Sequence, residues 1–114
     1  MKKSEFYDVL ESNDLKVVAA AVKSQNESVR EVYTTIDACN EVIEANEDEI
    51  EVLVAKMTKE RVSKFVEYNE YVLDRLSQKM AQLMGLQTSD PDYWTEWVKE
   101  QKAKDKKRKE KKGE

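Results

Sequence analysis

Residues 22–57 read VKSQNESVREVYTTIDACNEVIEANEDEIEVLVAKM, and every seventh position of this stretch is apolar. A seven-residue repeat of mostly β-branched apolar residues is typical of one seam of a coiled coil or of a long bundle helix. We expect this seam to mediate self-association, with a long helix over about residues 27–57. Its members are Val22, Val29, Ile36, Ile43, Ile50 and Met57.

One point of this stretch leaves two alternatives open. The helix either continues to Met57 or ends near Asn46 and restarts with a cluster of acidic residues in its first turn. Acidic side chains in a first turn are stabilised by the helix dipole, by roughly 0.3–1 kcal/mol each. The repeat passes unbroken from Ile43 to Ile50, however, and we therefore favour the continuous helix.

The rest of the chain also predicts helices with short breaks, because 114 residues contain only 2 Gly and 1 Pro. A short amphipathic helix precedes Asn13 and Asp14, and either of these two residues can cap a second segment that begins at Leu15. A weak interruption at residues 24–26 then precedes the long helix. These patterns predict an all-α fold.

The second half of the chain predicts two further helices. The apolar phase jumps after Met57, so we expect a break, a kink or a change of packing partner near Thr58, and a new helix over about residues 58–85. Gly85 is suited to end that helix, because glycine adopts the left-handed conformation without strain. Asp90 and Pro91 are a strong start signal for a last helix from residue 90.

The charge divides the chain into an acidic body and a basic tail. Residues 1–90 hold 11 Lys and Arg against 18 Asp and Glu, whereas residues 91–114 hold 9 against 6. We therefore expect a helical domain over residues 1–98 and a basic tail over residues 99–114. The tail has almost no apolar residue to bury, which predicts a frayed or disordered segment.

The residue inventory argues against catalysis. The chain has no histidine and a single cysteine, which removes the usual general base, the common nucleophile pairs and a structural zinc site. We expect no enzyme activity, no cofactor and no metal. The acidic run Glu44, Glu47, Asp48 and Glu51 has helical spacing and predicts a solvated helix face. A mimic of nucleic-acid phosphates, able to inhibit a nucleic-acid enzyme, is the alternative.

Two groups of residues are candidates for binding a partner. The aromatic residues either cap the core or anchor a partner, since Trp and Tyr are enriched at interface hot spots. The cationic tail residues suit nucleic-acid phosphates, an acidic protein surface or an anionic membrane surface, or serve only to keep the chain in solution. The candidates are Tyr93, Trp94, Trp97, Lys104, Lys106, Lys107, Arg108 and Lys109.

These observations lead to one architecture and two function hypotheses. We expect an elongated helical hairpin or coiled-coil-like bundle that forms a homodimer. The first hypothesis is a self-associating adaptor, scaffold or assembly chaperone, of a kind that bacteriophages also use, with its basic tail for a protein partner. The second is a small regulator acting on nucleic acid or on a nucleic-acid enzyme. No apolar run approaches the ~18 residues that span a bilayer, and no continuous apolar signal segment is present, so we expect a cytoplasmic protein without membrane contact.

Overall fold

The computed structural model describes residues 1–86 and 92–112, except for the side chains of residues 110–112. Within these residues the chain forms helices and no strand, which confirms the all-α prediction. The start signal predicted at Asp90 and Pro91 lies outside the described residues. The four helices are α1 (Lys3–Glu11), α2 (Leu15–Ala45), α3 (Glu49–Leu83) and α4 (Tyr93–Lys112).

The chain folds into two compact units. Unit 1 comprises Met1–Ala21 and Leu76–Glu114, and unit 2 comprises Val22–Arg75. Helices α2 and α3 each contribute residues to both units. Unit 2 is a helical hairpin built from the longer parts of α2 and α3, so the hairpin prediction is confirmed at this level.

The turn between α2 and α3 shows that the continuous helix over residues 27–57 is wrong. Helix α2 ends at Ala45, and Asn46 adopts a left-handed conformation with φ of 49°. Asparagine tolerates this conformation better than most residues. The Asp48 carboxylate then accepts hydrogen bonds from the backbone N–H groups of Ile50 at 2.8 Å and Glu51 at 3.3 Å. These bonds cap α3, and the acidic residues occupy its first turn, as the second alternative requires.

Replacement of Asp48 by alanine is expected to destabilise the protein by about 1 kcal/mol, because two N–H groups of α3 lose their acceptor. Urea denaturation followed by circular dichroism measures the change. Glu47→Ala is the matched control, since this neighbouring acidic residue precedes the cap and is exposed. Equal losses in the two variants would contradict a capping role for Asp48.

A buried polar pair sets the alignment of the hairpin in unit 2. Gln25 is 2% exposed, and its side-chain amide donates to the Asn69 backbone oxygen at 3.0 Å and to the Asn69 side-chain oxygen at 2.9 Å. Nearer the turn, Cys39 and Ala55 line one cavity, so residue numbers rise along α2 as they fall along α3. The two helices are therefore antiparallel. The interruption expected at residues 24–26 is absent, because Gln25 is satisfied inside the helix pair.

The break predicted near Thr58 is also wrong, since α3 is continuous from Glu49 to Leu83. The apolar phase jumps because α3 carries two apolar stripes on different sides. The inner stripe is buried or half-buried and contains Val52, Ala55, Val62 and Val66. The outer stripe is exposed and contains Ile50, Val54, Met57 and Phe65. Along the sequence, the apolar residues that set the repeat therefore pass from the outer stripe to the inner stripe, while the helix itself continues unchanged.

The end of α3 follows the prediction. Gly85 has φ of 73°, its N–H donates to the Gln82 carbonyl at 3.0 Å, and the Leu86 N–H donates to the Ala81 carbonyl at 2.9 Å. These two bonds form a Schellman motif, which satisfies carbonyl groups that the helix end leaves unpaired. Gly85 therefore ends α3 through its left-handed conformation.

Unit 1 has its own core, in which α1 packs against α4. The fully buried apolar side chains of the unit are Phe6, Leu10, Val18, Leu76 and Val98. The same unit buries the ammonium group of Lys79, which is 2% exposed and donates to the Asn13 side-chain oxygen at 3.3 Å. Burial lowers the pKa of Lys79 because the charged form loses its hydration.

Candidate interaction surfaces

The predicted self-association seam is divided between two helices. Four of its members, Val22, Val29, Ile36 and Ile43, are half-buried on one side of α2. The other two lie on the outer stripe of α3, where Ile50 is 74% exposed and Met57 is 55% exposed. The turn at residues 46–48 separates the two groups, so the six residues do not form one continuous stripe.

An apolar groove runs along one side of unit 2, which we call the hairpin flank. A cavity of about 590 Å³ near the turn forms one part of it. Helix α2 contributes small side chains there, Thr35 and Ala38, whereas α3 contributes Ile50 and Val54. The cavity is lined by Thr34, Thr35, Ala38, Cys39, Val42, Ile50, Glu51, Val54 and Ala55.

The hairpin flank extends towards the middle of the hairpin. A second cavity of about 330 Å³ is lined by Thr35, Val62 and Phe65 among others, and Thr35 belongs to both cavities. Phe65 is 56% exposed and Val54 is 56% exposed, although both are apolar. Because these side chains are already almost half covered, burying the rest of each would stabilise an association by roughly 1 kcal/mol. The flank therefore exposes large apolar side chains that a partner could bury.

The opposite side of the hairpin carries a polar contact between the helices. The Tyr33 hydroxyl donates a hydrogen bond to the Glu70 carboxylate. This bond raises the pKa of the Tyr33 phenol, because the protonated form is the one that donates. Neither Tyr33 nor Glu70 lines the two cavities of the hairpin flank.

The aromatic residues predicted to bind a partner are mostly part of the unit 1 core. Trp94 is 2% exposed, and its ring centroid lies 5.7 Å from that of Trp97. Trp97 is half-buried and meets Phe6 edge-on at 6.1 Å. Edge-on aromatic pairs of this kind add to the stability that burial provides. The core-capping alternative therefore describes Trp94 and Trp97, and Tyr93, 46% exposed, is the accessible member.

The predicted basic tail is a helix rather than a frayed segment, and α1 explains why. The Asp105 carboxylate accepts bonds from the Lys3 ammonium at 2.9 Å and the Tyr7 hydroxyl at 2.7 Å. The Lys3 bond, followed by the Tyr7 bond, lowers the pKa of Asp105 because both favour the charged carboxylate. A longer ion pair of 3.8 Å joins Lys102 to Glu11. These contacts hold the charged part of α4 against α1.

The cationic residues of α4 fall on two sides of the helix. Lys99, Lys102, Lys106 and Lys109 follow each other at steps of three, four and three residues, so they share one face. All four are exposed, and the last three border one surface depression of about 280 Å³ with Asp105. We call these four residues the lysine row.

The other predicted cations lie outside the lysine row. Lys104 pairs with Glu100 at 3.4 Å, and Lys107 is exposed on the same far side of the helix. Arg108 is exposed near Asp105, whose pKa its charge helps to lower. Of the predicted tail candidates, Lys106 and Lys109 therefore belong to the lysine row, whereas Lys104, Lys107 and Arg108 share the far side of α4.

Comparison with protein families, curated proteins and solved structures finds no match to this chain. The described residues contain no group of three or more His, Cys, Asp or Glu side chains placed to hold a metal ion. None of the helices in the described part of the chain has both the length and the apolar character that crossing a membrane requires.

The acidic run behaves differently from its sequence spacing. Glu44 lies in α2, Glu47 and Asp48 lie in the turn, and Glu51 lies in α3. The spacing that would place them on one helix face therefore crosses a turn, and Asp48 serves as the cap of α3. The geometric premise of a phosphate mimic, a single acidic helix face, is absent from this segment.

Sequence reasoning missed the contacts that align the helices. Gln25 lies seven residues before Val32 and fourteen before Cys39, in a second apolar repeat of α2. A polar residue at such a position was the available signal of a buried polar contact. Asp105 is an acidic residue within a cationic run, which in retrospect marks the point where α4 meets a lysine and a tyrosine of α1. Neither partner could be identified from spacing, because both contacts join residues far apart in the chain.

Proposed function

We propose that this protein is a cytoplasmic, self-associating helical adaptor of the scaffold or assembly-chaperone type. The observation that carries the proposal is the hairpin flank, a groove with exposed apolar residues along a two-helix hairpin. Two antiparallel helices leave such faces open, and a second hairpin closes them into a four-helix bundle. The cytoplasmic location rests on the sequence alone.

The size of the flank supports a second copy as its occupant. Residues 22–45 of α2 and residues 49–75 of α3 span about 36 Å and about 40 Å at 1.5 Å per residue. Two helices side by side are about 20 Å wide, so each hairpin offers a face of roughly 700 Å². Stable interfaces bury about 800 Å² per partner, which a face of this size approaches. Homodimerisation through unit 2 is therefore the expected state.

The second surface of the adaptor is α4. Its charged residues are positioned by contacts to α1, and its lysine row is exposed. Self-association and partner binding would then use different parts of the chain, the hairpin for one and α4 for the other. An adaptor requires this separation, because one surface must remain open after the other is occupied.

Replacement of Val54 by aspartate is expected to weaken self-association by about 30-fold or more, because it places a carboxylate in an apolar interface. Leu53→Asp is the matched control, since Leu53 is 58% exposed against 56% for Val54 but does not line the groove. Sedimentation equilibrium from 1 to 200 μM measures the mass of each variant, and circular dichroism checks that both remain helical.

The two variants separate the proposal from general effects of charge. A wild-type dimer that Val54→Asp dissociates and Leu53→Asp preserves would support a dimer through the flank. A wild-type protein that stays monomeric at 200 μM would contradict self-association. Equal weakening by both variants would place the contact elsewhere on unit 2.

A further inference from the structure

The lysine row has the geometry of a surface for a regular array of negative charges. Its four members lie about 4.5, 6 and 4.5 Å apart along the helix axis, which gives a row of about 15 Å. The row is held in place because Asp105 is bonded to Lys3 and Tyr7 of α1, so α4 presents it on a packed helix. The bonded Asp105 carboxylate is already occupied by these two donors, whereas Lys102 would exchange its 3.8 Å ion pair with Glu11 for a contact to phosphate.

The chemistry of the row favours a polyphosphate over a protein. Protein interfaces depend on buried aromatic or aliphatic anchors, and the row contains only lysines. Trp94 and Val98 are buried in unit 1 and Trp97 is half-buried, whereas Tyr93, 46% exposed, precedes the row by six residues and is not part of it. A row of lysines gains its binding free energy mainly from the counterions that it displaces from its partner. Nucleic acid carries such condensed counterions at high density. The four side chains of the row include no apolar residue that could insert into a membrane surface.

Duplex rather than single-stranded nucleic acid fits the residues of the row. Proteins that hold single strands stack the bases on exposed aromatic side chains. No aromatic residue is interleaved among Lys99, Lys102, Lys106 and Lys109. Contacts limited to phosphates position a protein on a duplex without reading its sequence.

We propose that the lysine row binds the phosphate backbone of duplex nucleic acid without sequence preference. Duplex nucleic acid would then be the partner that the adaptor binds through α4, and this role rests on the proposed function. Self-association is not required, because the row lies entirely on α4 of one chain.

The experiment measures binding of the full chain to a fluorescently labelled 20-base-pair DNA duplex by anisotropy, between 50 and 200 mM NaCl. Four phosphate contacts predict a slope of about −3.6 for the logarithm of the association constant against the logarithm of salt concentration. Affinity should then fall by about 150-fold over this range. A duplex of different sequence should give the same constants, and a single strand should bind more weakly.

The matched variants are Lys106→Gln with Lys109→Gln, on the row, and Lys104→Gln with Lys107→Gln, off the row. Both pairs remove two positive charges from α4, and glutamine keeps a similar helix propensity. The row variant should reduce the magnitude of the slope by about 1.8 and lower affinity at 50 mM salt by at least tenfold. The off-row variant should change the slope by less than 0.5, and circular dichroism should show equal helicity.

Four results would overturn the inference. These are the absence of binding at 50 mM salt, identical slopes for the two variants, tighter binding to the single strand, and equal binding to poly-glutamate or to anionic lipid vesicles. The Val54→Asp protein distinguishes a failure of the duplex-binding inference from a failure of the proposed self-association. If Val54→Asp is monomeric and its salt dependence of duplex binding equals that of the wild type, duplex binding does not depend on self-association. If the wild-type protein is a dimer that does not bind the duplex, the inference fails and the proposed self-association remains.

Discussion

Replacement of Trp94 by alanine is expected to lower the free energy of unfolding by about 3–5 kcal/mol, the largest effect of any single substitution considered for this chain. Trp94 is 2% exposed and contacts Trp97 edge-on at 5.7 Å, in the cluster that joins α4 to α1. Alanine would remove most of this buried area and leave a cavity that neighbouring helices fill only in part. The loss should also release the charged part of α4 from α1.

Urea denaturation, followed by circular dichroism and by the fluorescence of Trp97, measures this effect. Tyr93→Ala is the control, because Tyr93 is 46% exposed and meets Trp94 edge-on at 4.9 Å. The control should cost about 1 kcal/mol, since it loses one aromatic pair and little buried area. A Trp94→Ala protein as stable as Tyr93→Ala would mean that the aromatic cluster is not the core of unit 1.

Replacement of Gln25 by alanine is expected to destabilise the protein by about 3 kcal/mol, from the lost volume and the lost hydrogen bonds together. The Gln25 amide is the donor to the side-chain oxygen of Asn69, which would lose that partner. The Asn69 amide would still donate to the Phe65 carbonyl at 2.8 Å. The main cost therefore falls on the contact between α2 and α3.

Two further substitutions separate packing from hydrogen bonding at this site. Gln25→Leu keeps the volume and should recover most of the stability, but it removes the polar pair that aligns the helices. Asn26→Ala is the control, because Asn26 is exposed on the same turn and should change stability by less than about 0.5 kcal/mol. Thermal and urea unfolding give the energies. A Gln25→Ala protein within 0.5 kcal/mol of wild type would contradict an aligning role for the pair.

Several features of the fold were predictable because they depend on neighbours in the sequence. Few glycines and prolines with apolar residues at helical spacing predict an all-α chain, and the structure has that character in its described residues. Asp14 caps α2 by accepting a bond from the Lys16 N–H at 3.0 Å, and Gly85 ends α3. Both signals act within one or two turns of helix, where the residue type decides the conformation.

The helix break was misplaced because two different causes produce the same sequence signal. The repeat from Ile43 to Ile50 is unbroken in spacing, yet Asn46 and Asp48 turn the chain between them. The phase change near Thr58 looks like a break, yet α3 continues and the apolar pattern only moves from its outer stripe to its inner stripe. Spacing reports where apolar residues fall, whereas the partner on each side decides whether the helix continues.

The candidate surfaces were predictable in part. The sequence predicted that all six seam residues would be available for self-association. In the structure only Ile50 and Met57 of the six are exposed, and both lie on α3. The lysine row combines Lys106 and Lys109 with Lys99 and Lys102, which the tail prediction did not select. The face of α4 that stays open depends on which face α1 covers, and that contact joins residues about a hundred positions apart.

The sequence by itself determined the helical class, the N-terminal cap of α2, the end of α3, and the division into acidic and basic segments, since each follows from local backbone preference or composition. The tertiary structure alone decided that α2 and α3 pair through Gln25 and Asn69, and that Asp105 holds α4 against α1. These contacts require chain segments far apart in sequence to meet. Their stability comes from burial and from paired polar groups, which no local pattern of residues specifies.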